Sequence, residues 1–300
     1  MFHSAFPPFR RSAPPPFCNV FHTFDSIERD YNTHMEVQPL SQIDLSQIPA
    51  LIPPGWDTAL PSIRFYTISD FCFPIKITVE REIIGTGTAI IHNDVAWLAH
   101  IIVHPDYRNQ GIGQFITKKL VDIAKAKNCA TIYLLATELG EPVYIKIGFE
   151  EEAEYLFFKG DAPISSGIGD DHIVPYSSDY LKPISILDQR VSGEDRMFHI
   201  ETHLTKGYVS AQSNILQGYY LPTLGDGLII AATPEAGMAL TKFRLTSRDF
   251  TVFPSTNDNA ITLLRQYPLS EVRRQKRMRL GKRREWEPSM IYNRIGGNLG

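Results

Sequence analysis

The chain has 300 residues, 43% hydrophobic and 21% charged, with a formal net charge of −3. That length suits two domains of ordinary size better than one small core. No run reaches the ~18 apolar residues of a membrane-spanning helix, the charge exerts no general pull toward nucleic acid or anionic membrane, and three scattered cysteines form neither a disulfide framework nor a metal motif.

Those cysteines, Cys18, Cys72 and Cys129, read as reduced thiols of a cytoplasmic protein. Residues 1–34 are expected to be a disordered or extended leader. Pro7, Pro8 and Pro14 to Pro16 deny it helix and sheet pairing, and no acidic residue precedes Asp25. Arg10 and Arg11 suit mitochondrial import, but the prolines spoil the amphipathic helix that import needs. Met35 is a second candidate start.

Residues 35–160 are expected to form the first domain, of mixed α/β class. Glu36–Leu40 reads as a strand, followed by helical turns through Ile48 and through Leu60–Ser69. Ile75–Arg81 and Ile83–His92 are rich in β-branched residues, and Asn93-Asp94 tolerates a hairpin turn before the strand Val95–Val103. From Gly111 to Lys127 the period changes. Ile112, Ile116, Leu120 and Ile123 recur every three or four positions opposite Gln114, Lys118, Asp122 and Lys125, the pattern of an amphipathic helix. A buried strand is expected at Thr131–Thr137, then a short helix opened by Pro142 and closed by Gly148, then a strand at Glu151–Phe158.

Residues 161–183 are rich in Gly, Ser, Asp and Pro and read as a linker. Residues 184–300 are expected to form a second domain. Its strands are Lys206–Gln212, Ile215–Leu221, Leu228–Ala232 and Phe250–Pro254, its helices Pro234–Phe243 and Asn257–Gln266. Val272–Leu280 is expected to be an edge strand. Eight of the twelve residues from Arg273 to Arg284 are basic, and cationic side chains protect exposed edges; an acidic partner or the phosphates of a cofactor is the other reading of that run.

The chemistry concentrates where the strand ending at Val103 turns into the helix after Gly111. The turn has the form Arg-x-x-Gly-x-Gly, from Arg108 to Gly113. Free N–H groups at a helix N-terminus attract an anion. Glycines let a pyrophosphate approach the backbone, and Arg108 adds a charge-assisted bond. No Gly-Lys-Ser/Thr ending follows, and the three glycines and acidic residue of a dinucleotide fingerprint are missing, so neither nucleotide motif is present.

In order along the chain, Val103-His104-Pro105, Tyr107-Arg108, Gly111-Ile112-Gly113, Tyr144 and Gly148-Phe149 resemble motifs A and B of the GNAT superfamily of N-acetyltransferases. Pro54-Gly55-Trp56-Asp57 resembles the Gly-Trp segment of one bacterial-type branch. The resemblance implies a GNAT fold with a central mixed, splayed sheet and acetyl-CoA as cofactor. Its pyrophosphate is expected on Asn109, Gln110, Gly111, Ile112, Gly113 and Gln114 beside Arg108. Its pantetheine arm is expected along Ile101, Ile102 and Val103, with a backbone N–H near Ile102 polarising the acetyl carbonyl. Tyr144 matches the family tyrosine that protonates the leaving sulfur.

His100 is the candidate base, because histidine titrates in the useful range; strand alternation puts it on the face of Leu98 unless a bulge intervenes. Trp56 and Phe65 are candidates to line the acceptor site. His199, Glu201 and His203 have the order His-x-Glu-x-His, unlike the zinc-peptidase pattern, and no metal is expected. Asp195-Arg196, Pro222-Thr223-Leu224-Gly225 and Gly296-Gly297-Asn298-Leu299-Gly300 resemble a second, GNAT-like domain that follows some bacterial-type GNAT domains. There Thr233-Pro234-Glu235 replaces the glycine loop, so this copy is degenerate. The expected activity is acetylation of a primary amine on a small molecule. The rivals are a protein-lysine acetyltransferase and a non-catalytic acyl-CoA sensor that engages a partner through its basic segment.

Overall fold

Alternating and periodic apolar patterns become strands and helices in the expected order along the first half of the chain. A computed structural model describes residues 35–165 and 172–300, so the expected leader lies outside the described residues. The first half comprises β1 (Met35–Pro39), α1 (Ala59–Tyr66), β2 (Cys72–Val79), β3 (Glu82–His92), β4 (Val95–Val103), α2 (Ile112–Ala126), β5 (Thr131–Ala136), α3 (Glu141–Ile147) and β6 (Glu150–Gly160). Helix α2 buries Ile112, Ile116, Leu120 and Ala124 against the sheet. Gly87 on β3 makes that seat possible: a Cβ there would lie 2.8 Å from Ile116 Cγ2 and 2.9 Å from Leu120 Cδ1.

The second half comprises β7 (Ile173–Pro175), α4 (Leu181–Ser192), α5 (Met197–Leu204), β8 (Tyr208–Gln212), β9 (Ile215–Leu221), β10 (Leu228–Ala231), α6 (Pro234–Leu245), β11 (Phe250–Pro254), α7 (Asp258–Leu264), β12 (Leu269–Gly281) and β13 (Ile291–Asn293). The expected linker is therefore ordered at both ends. β6 runs to Gly160, β7 pairs with β8, and α4 starts at Leu181; residues 166–171 lie outside the described residues. Helix α4 escaped the sequence reading because Pro183 looks like a breaker, yet proline is tolerated in a first turn, and Ile184, Leu187 and Val191 then make a buried stripe.

The eight-stranded sheet has the order β1-β2-β3-β4-β5-β12-β6-β11, and a second sheet the order β13-β10-β9-β8-β7. The β4–β5 pair is parallel and the other ladders are antiparallel. This corrects the expectation of an edge strand: β12 is interior, paired with β5 on one side and β6 on the other. The basic run meets the acidic start of β6. Arg274 binds Glu154 at 2.7 Å, Lys276 binds Glu151 at 2.9 Å and Glu141 at 2.7 Å, and Arg279 binds Glu150 at 2.7 Å. Opposite charges on neighbouring strands favour this pairing and disfavour others. Met278 is buried with the α2 core, and Leu280 packs against it.

Around β12 the two halves share a buried charge cluster. Glu194, in the α4–α5 turn, is 1% exposed. Its Oε2 accepts from His92 Nε2 at 2.7 Å and from Trp97 Nε1 at 2.9 Å, and its Oε1 lies 3.5 Å from Arg277 Nη2. Arg277 also lies 2.8 Å from Glu152, with its guanidinium 4.0 Å from the ring centres of Tyr133 and Trp286. Burial alone would raise the Glu194 carboxyl. The His92 hydrogen bond and the charges of Arg277 and Arg196 outweigh that and hold it down at about 2.

Candidate active site

Strands β4 and β5 pair at Val95–Thr131, Ala96–Ile132 and Trp97–Tyr133. The ladder ends there, while β4 continues to Val103 and β5 to Ala136. The result is a V whose β4 arm, including Ile101, Ile102 and Val103, is free of β5 and can accept an added extended chain.

A bulge sits on this arm. Thr86 faces Ile102 and Thr88 faces Ala99, so the single residue Gly87 spans His100 and Ile101. His100 takes φ 48°, the left-handed conformation that marks one type of bulge. The bulge reverses the side-chain parity of the strand. Ala96 and Leu98 belong to the α2-side core, and Ile101 and Val103 pack against it, whereas Trp97, Ala99 and Ile102 belong to the opposite core. Simple alternation is thereby overturned for His100. It leaves the face of Leu98 and meets Tyr66 of α1 and Trp56, whose ring stands edge-on at 6.2 Å.

At the end of β4 the chain makes a 3-10 turn over Pro105–Tyr107. Arg108 is then anchored by its Nε, which donates to the Val103 carbonyl at 3.1 Å. Asn109 at φ 61° and Gly111 at φ 82° turn the backbone into α2. A Cβ on Gly111 would meet no atom within 4 Å, and one on Gly113 would meet only Val103 Cγ2 at 3.7 Å. The backbone from Asn109 to Gln114 therefore borders open space at a helix N-terminus, where the first N–H groups have no intrahelical acceptors. A pyrophosphate fits this loop: the space beside both glycines is free, and the field favours an anion.

Tyr144 comes from α3, directly after β5, and joins the α2-side core with Ala96 and Leu98 of β4. It is buried, and burial pushes its phenol up to about 12. The ring lies against the missing side chain of Gly140, whose Cβ would stand 2.8 Å from Tyr144 Cε2. At neutral pH the hydroxyl therefore keeps its proton.

At the bulge, His100 Nδ1 lies 3.0 Å from Tyr66 Oη, which is 2.9 Å from Asn298 Nδ2. Burial draws His100 down to about 4, so the imidazole is neutral over the physiological range. Trp56 is half-buried beside it, while Phe65 is half exposed and packs against Phe71. Tyr66 and Asn298 were not found by sequence reasoning. They lie 232 positions apart, and no local pattern links a helical tyrosine to a loop asparagine of the other domain.

The corresponding region of the second half is closed. Between β10 and β11 lies β13: it pairs with β10, and the Asn293 side chain accepts from the Val252 N–H at 2.8 Å. The start of α6 is already occupied. Thr233 Oγ1 accepts from the Ala236 N–H at 3.4 Å, Pro234 has no N–H, and the Tyr292 ring fills the place where a Gly237 Cβ would lie. His199, Glu201 and His203 lie along α5 and do not converge. His199 packs among Phe71, His92 and Phe198, and among the described residues no group of three His, Cys, Asp or Glu is placed to hold a metal. No helix among the described residues is long and apolar enough to cross a membrane.

Residues 42–149 match the sequence profile of the Acetyltransferase (GNAT) family. A glucosamine 6-phosphate N-acetyltransferase of Trypanosoma brucei brucei is 33% identical over 74 residues, 25% of this chain and 47% of that protein, so the chain spans about half the length of this curated relative. A provisionally assigned acetyltransferase structure from Pyrococcus horikoshii superposes with a TM-score of 0.73 at 22% identity, covering 93% of this chain and 100% of that one. A tandem GNAT protein from the clavulanic acid biosynthesis pathway, solved without AcCoA, gives a TM-score of 0.53 at 15% identity, covering 82% and 98%. The two structural likenesses are likenesses of fold, and they extend across both halves.

Proposed function

Because the chain belongs to the GNAT acetyltransferase family through residues 42–149 and has a second, GNAT-like domain, we propose that it transfers an acetyl group from acetyl-CoA to a primary amine of a small molecule. The observation that carries this reading is the junction of two features at the end of β4: an edge unpaired after Trp97, and a glycine-lined helix N-terminus directly after it. The T. brucei relative, named for N-acetylation of a small amino sugar phosphate, supports a small acceptor.

When bound, acetyl-CoA supplies a thioester whose carbonyl carbon is the electrophile. Asn109 to Gln114, with Arg108, would hold the pyrophosphate, and the backbone of Ile101 to Val103 would hold the pantetheine amides. A backbone N–H near Ile102 would stabilise negative charge on the carbonyl oxygen. The neutral amine forms the new C–N bond as the C–S bond breaks. Tyr144 would donate its hydroxyl proton toward the departing sulfur, water would take the proton lost from the amine nitrogen, and a proton returned from water would restore the Tyr144 hydroxyl. His100 borders the acceptor.

Release of free thiol against a panel of small amines and lysine peptides tests this assignment. Turnover on a small primary amine supports it. Tight cofactor binding without turnover on any amine, or turnover on lysine peptides alone, overturns it. Tyr144→Phe is expected to lower kcat about tenfold or more, roughly 1.4 kcal/mol, with cofactor affinity nearly unchanged; a variant with full kcat would reduce Tyr144 to a packing residue.

One cofactor per chain is expected in calorimetric titration. A pyrophosphate at the start of α6 would face a capped N–H, a missing N–H at Pro234, the Glu235 carboxylate and the Tyr292 ring. Two equivalent sites by titration would contradict the assignment of α6 as closed.

A further inference from the structure

We infer that the second domain sets the protonation geometry of the first domain's acceptor site, through a two-bond relay from Asn298 by way of Tyr66 that places the proton of His100 on Nε2. The catalytic consequence rests on the acetyl-transfer reading, whereas the tautomer itself follows from a proton inventory. The amide nitrogen of Asn298 carries only donors, and it lies 2.9 Å from Tyr66 Oη. Tyr66 Oη therefore accepts that bond. Two neighbours remain for its single proton: Ser62, whose own hydroxyl donates to the Thr58 carbonyl at 2.9 Å, and His100 Nδ1 at 3.0 Å; a neutral imidazole nitrogen is the stronger acceptor and takes it. Nδ1 must then be the unprotonated nitrogen of the neutral ring.

The arrangement is rigid on every side. Tyr66 is buried in the core shared by both halves. The bulge holds His100 in the left-handed region. The segment carrying Asn298 is pinned nearby: Ile295 N–H donates to the Gly300 carbonyl at 2.8 Å, and Gly300 lies against the Trp97 ring, where a Cβ would stand 2.4 Å from Cη2. The heavy atoms of Tyr66 and Asn298 are thereby held in place, and their donors and acceptors decide where the protons lie.

The consequence concerns chemistry at the acceptor. A base for the amine would need a lone pair directed at it, and in this tautomer both ring nitrogens are spoken for: Nδ1 accepts from Tyr66 and Nε2 carries hydrogen. His100 therefore meets the acceptor as a hydrogen-bond donor that orients it, and does not receive its proton. Tyr66 and Asn298 are positioning residues, acting through His100.

Nitrogen NMR of the histidine-labelled full chain reads the tautomer directly and without turnover, so this test stands or falls separately from the thiol-release assay. In the wild type the His100 resonances should report protonated Nε2 and bare Nδ1. Asn298→Asp is the decisive variant. A carboxylate can only accept, so Tyr66 turns its proton toward it and takes one from Nδ1, reversing the tautomer. Tyr66→Phe keeps the ring but removes the relay, and should give a mixture of the two forms. Kinetically, His100→Gln keeps a donor N–H and should retain kcat within about tenfold, with any loss appearing in the KM of the amine, whereas His100→Ala should raise that KM further. Protonated Nδ1 in the wild type, or a tautomer unchanged in both Asn298→Asp and Tyr66→Phe, overturns the relay. Loss of kcat by more than a hundredfold in His100→Gln, with amine KM unchanged, makes His100 the base and overturns the donor role.

Discussion

Gly113→Glu should abolish measurable acetyl-CoA binding while leaving the chain folded. The new Cβ meets only Val103 Cγ2, at an ordinary contact distance of 3.7 Å, and a non-glycine residue in a helix is favoured over glycine by up to about 1 kcal/mol. The fold therefore has no reason to fail. The rest of the side chain, however, extends into the space where a pyrophosphate would meet the N–H groups of α2, and it brings a carboxylate to the same positive field. Loss of two hydrogen bonds to a charged group, each about 1.5–3 kcal/mol, weakens affinity by at least about a hundredfold before repulsion is counted. Gly113→Ala separates the contributions, since it adds the Cβ without the charge and should lose much less. Gly111→Glu should also fail to bind, but its φ of 82° adds backbone strain, so its stability must be measured alongside. Unchanged affinity of Gly113→Glu by calorimetry would remove the loop from the cofactor site.

Glu194→Ala should destabilise the fold more than any of the site substitutions. It leaves the donors His92 Nε2 and Trp97 Nε1 without their acceptor and removes one of the two carboxylates near the buried Arg277. Breaking a buried ion pair from one side costs about 3–5 kcal/mol, which for a chain of this size lowers Tm by on the order of 10 °C. The same residue carries an acid dependence. Its carboxyl is held at about 2 in the folded protein, against an ordinary value of 4.5. A depressed carboxyl contributes stability that is present above its unfolded pKa and is lost as pH falls toward its folded one. The wild type should therefore lose stability between about pH 4.5 and 2 on this account, by on the order of 3 kcal/mol, and Glu194→Ala should be flatter in that window. Melting curves across that range check both statements; an unaltered Tm at neutral pH would show that the cluster is replaceable.

Elements whose signal is confined to a short stretch were readable from the amino acids alone. Ile112, Ile116 and Leu120 repeat at helical spacing, and Arg108, Gly111 and Gly113 stand at the start of that helix; together they mark α2 and the glycine turn that opens it with no knowledge of the rest of the chain. Tyr144 and the helix ended by Gly148 were legible for the same reason, since proline and glycine punctuate a helix within a few residues. Degeneracy of the second loop was legible in Pro234 and Glu235, although the stronger obstacles, Tyr292 and the strand β13, were not. Three features emerged only in the folded chain. The parity of His100 turns on a bulge that exists only because Gly87 on a different strand faces two residues at once. The interior place of β12 depends on acidic residues of β6 that pair with its basic ones; Glu150 to Glu154 and Arg273 to Arg279 are conspicuous runs, but charge complementarity becomes visible only once both strands and their register are known. Asn298 reaches Tyr66 through a contact across 232 positions. A hydrogen bond is directional and reaches only about 3 Å, so nothing short of the folded chain could have shown that Asn298 meets Tyr66 of α1.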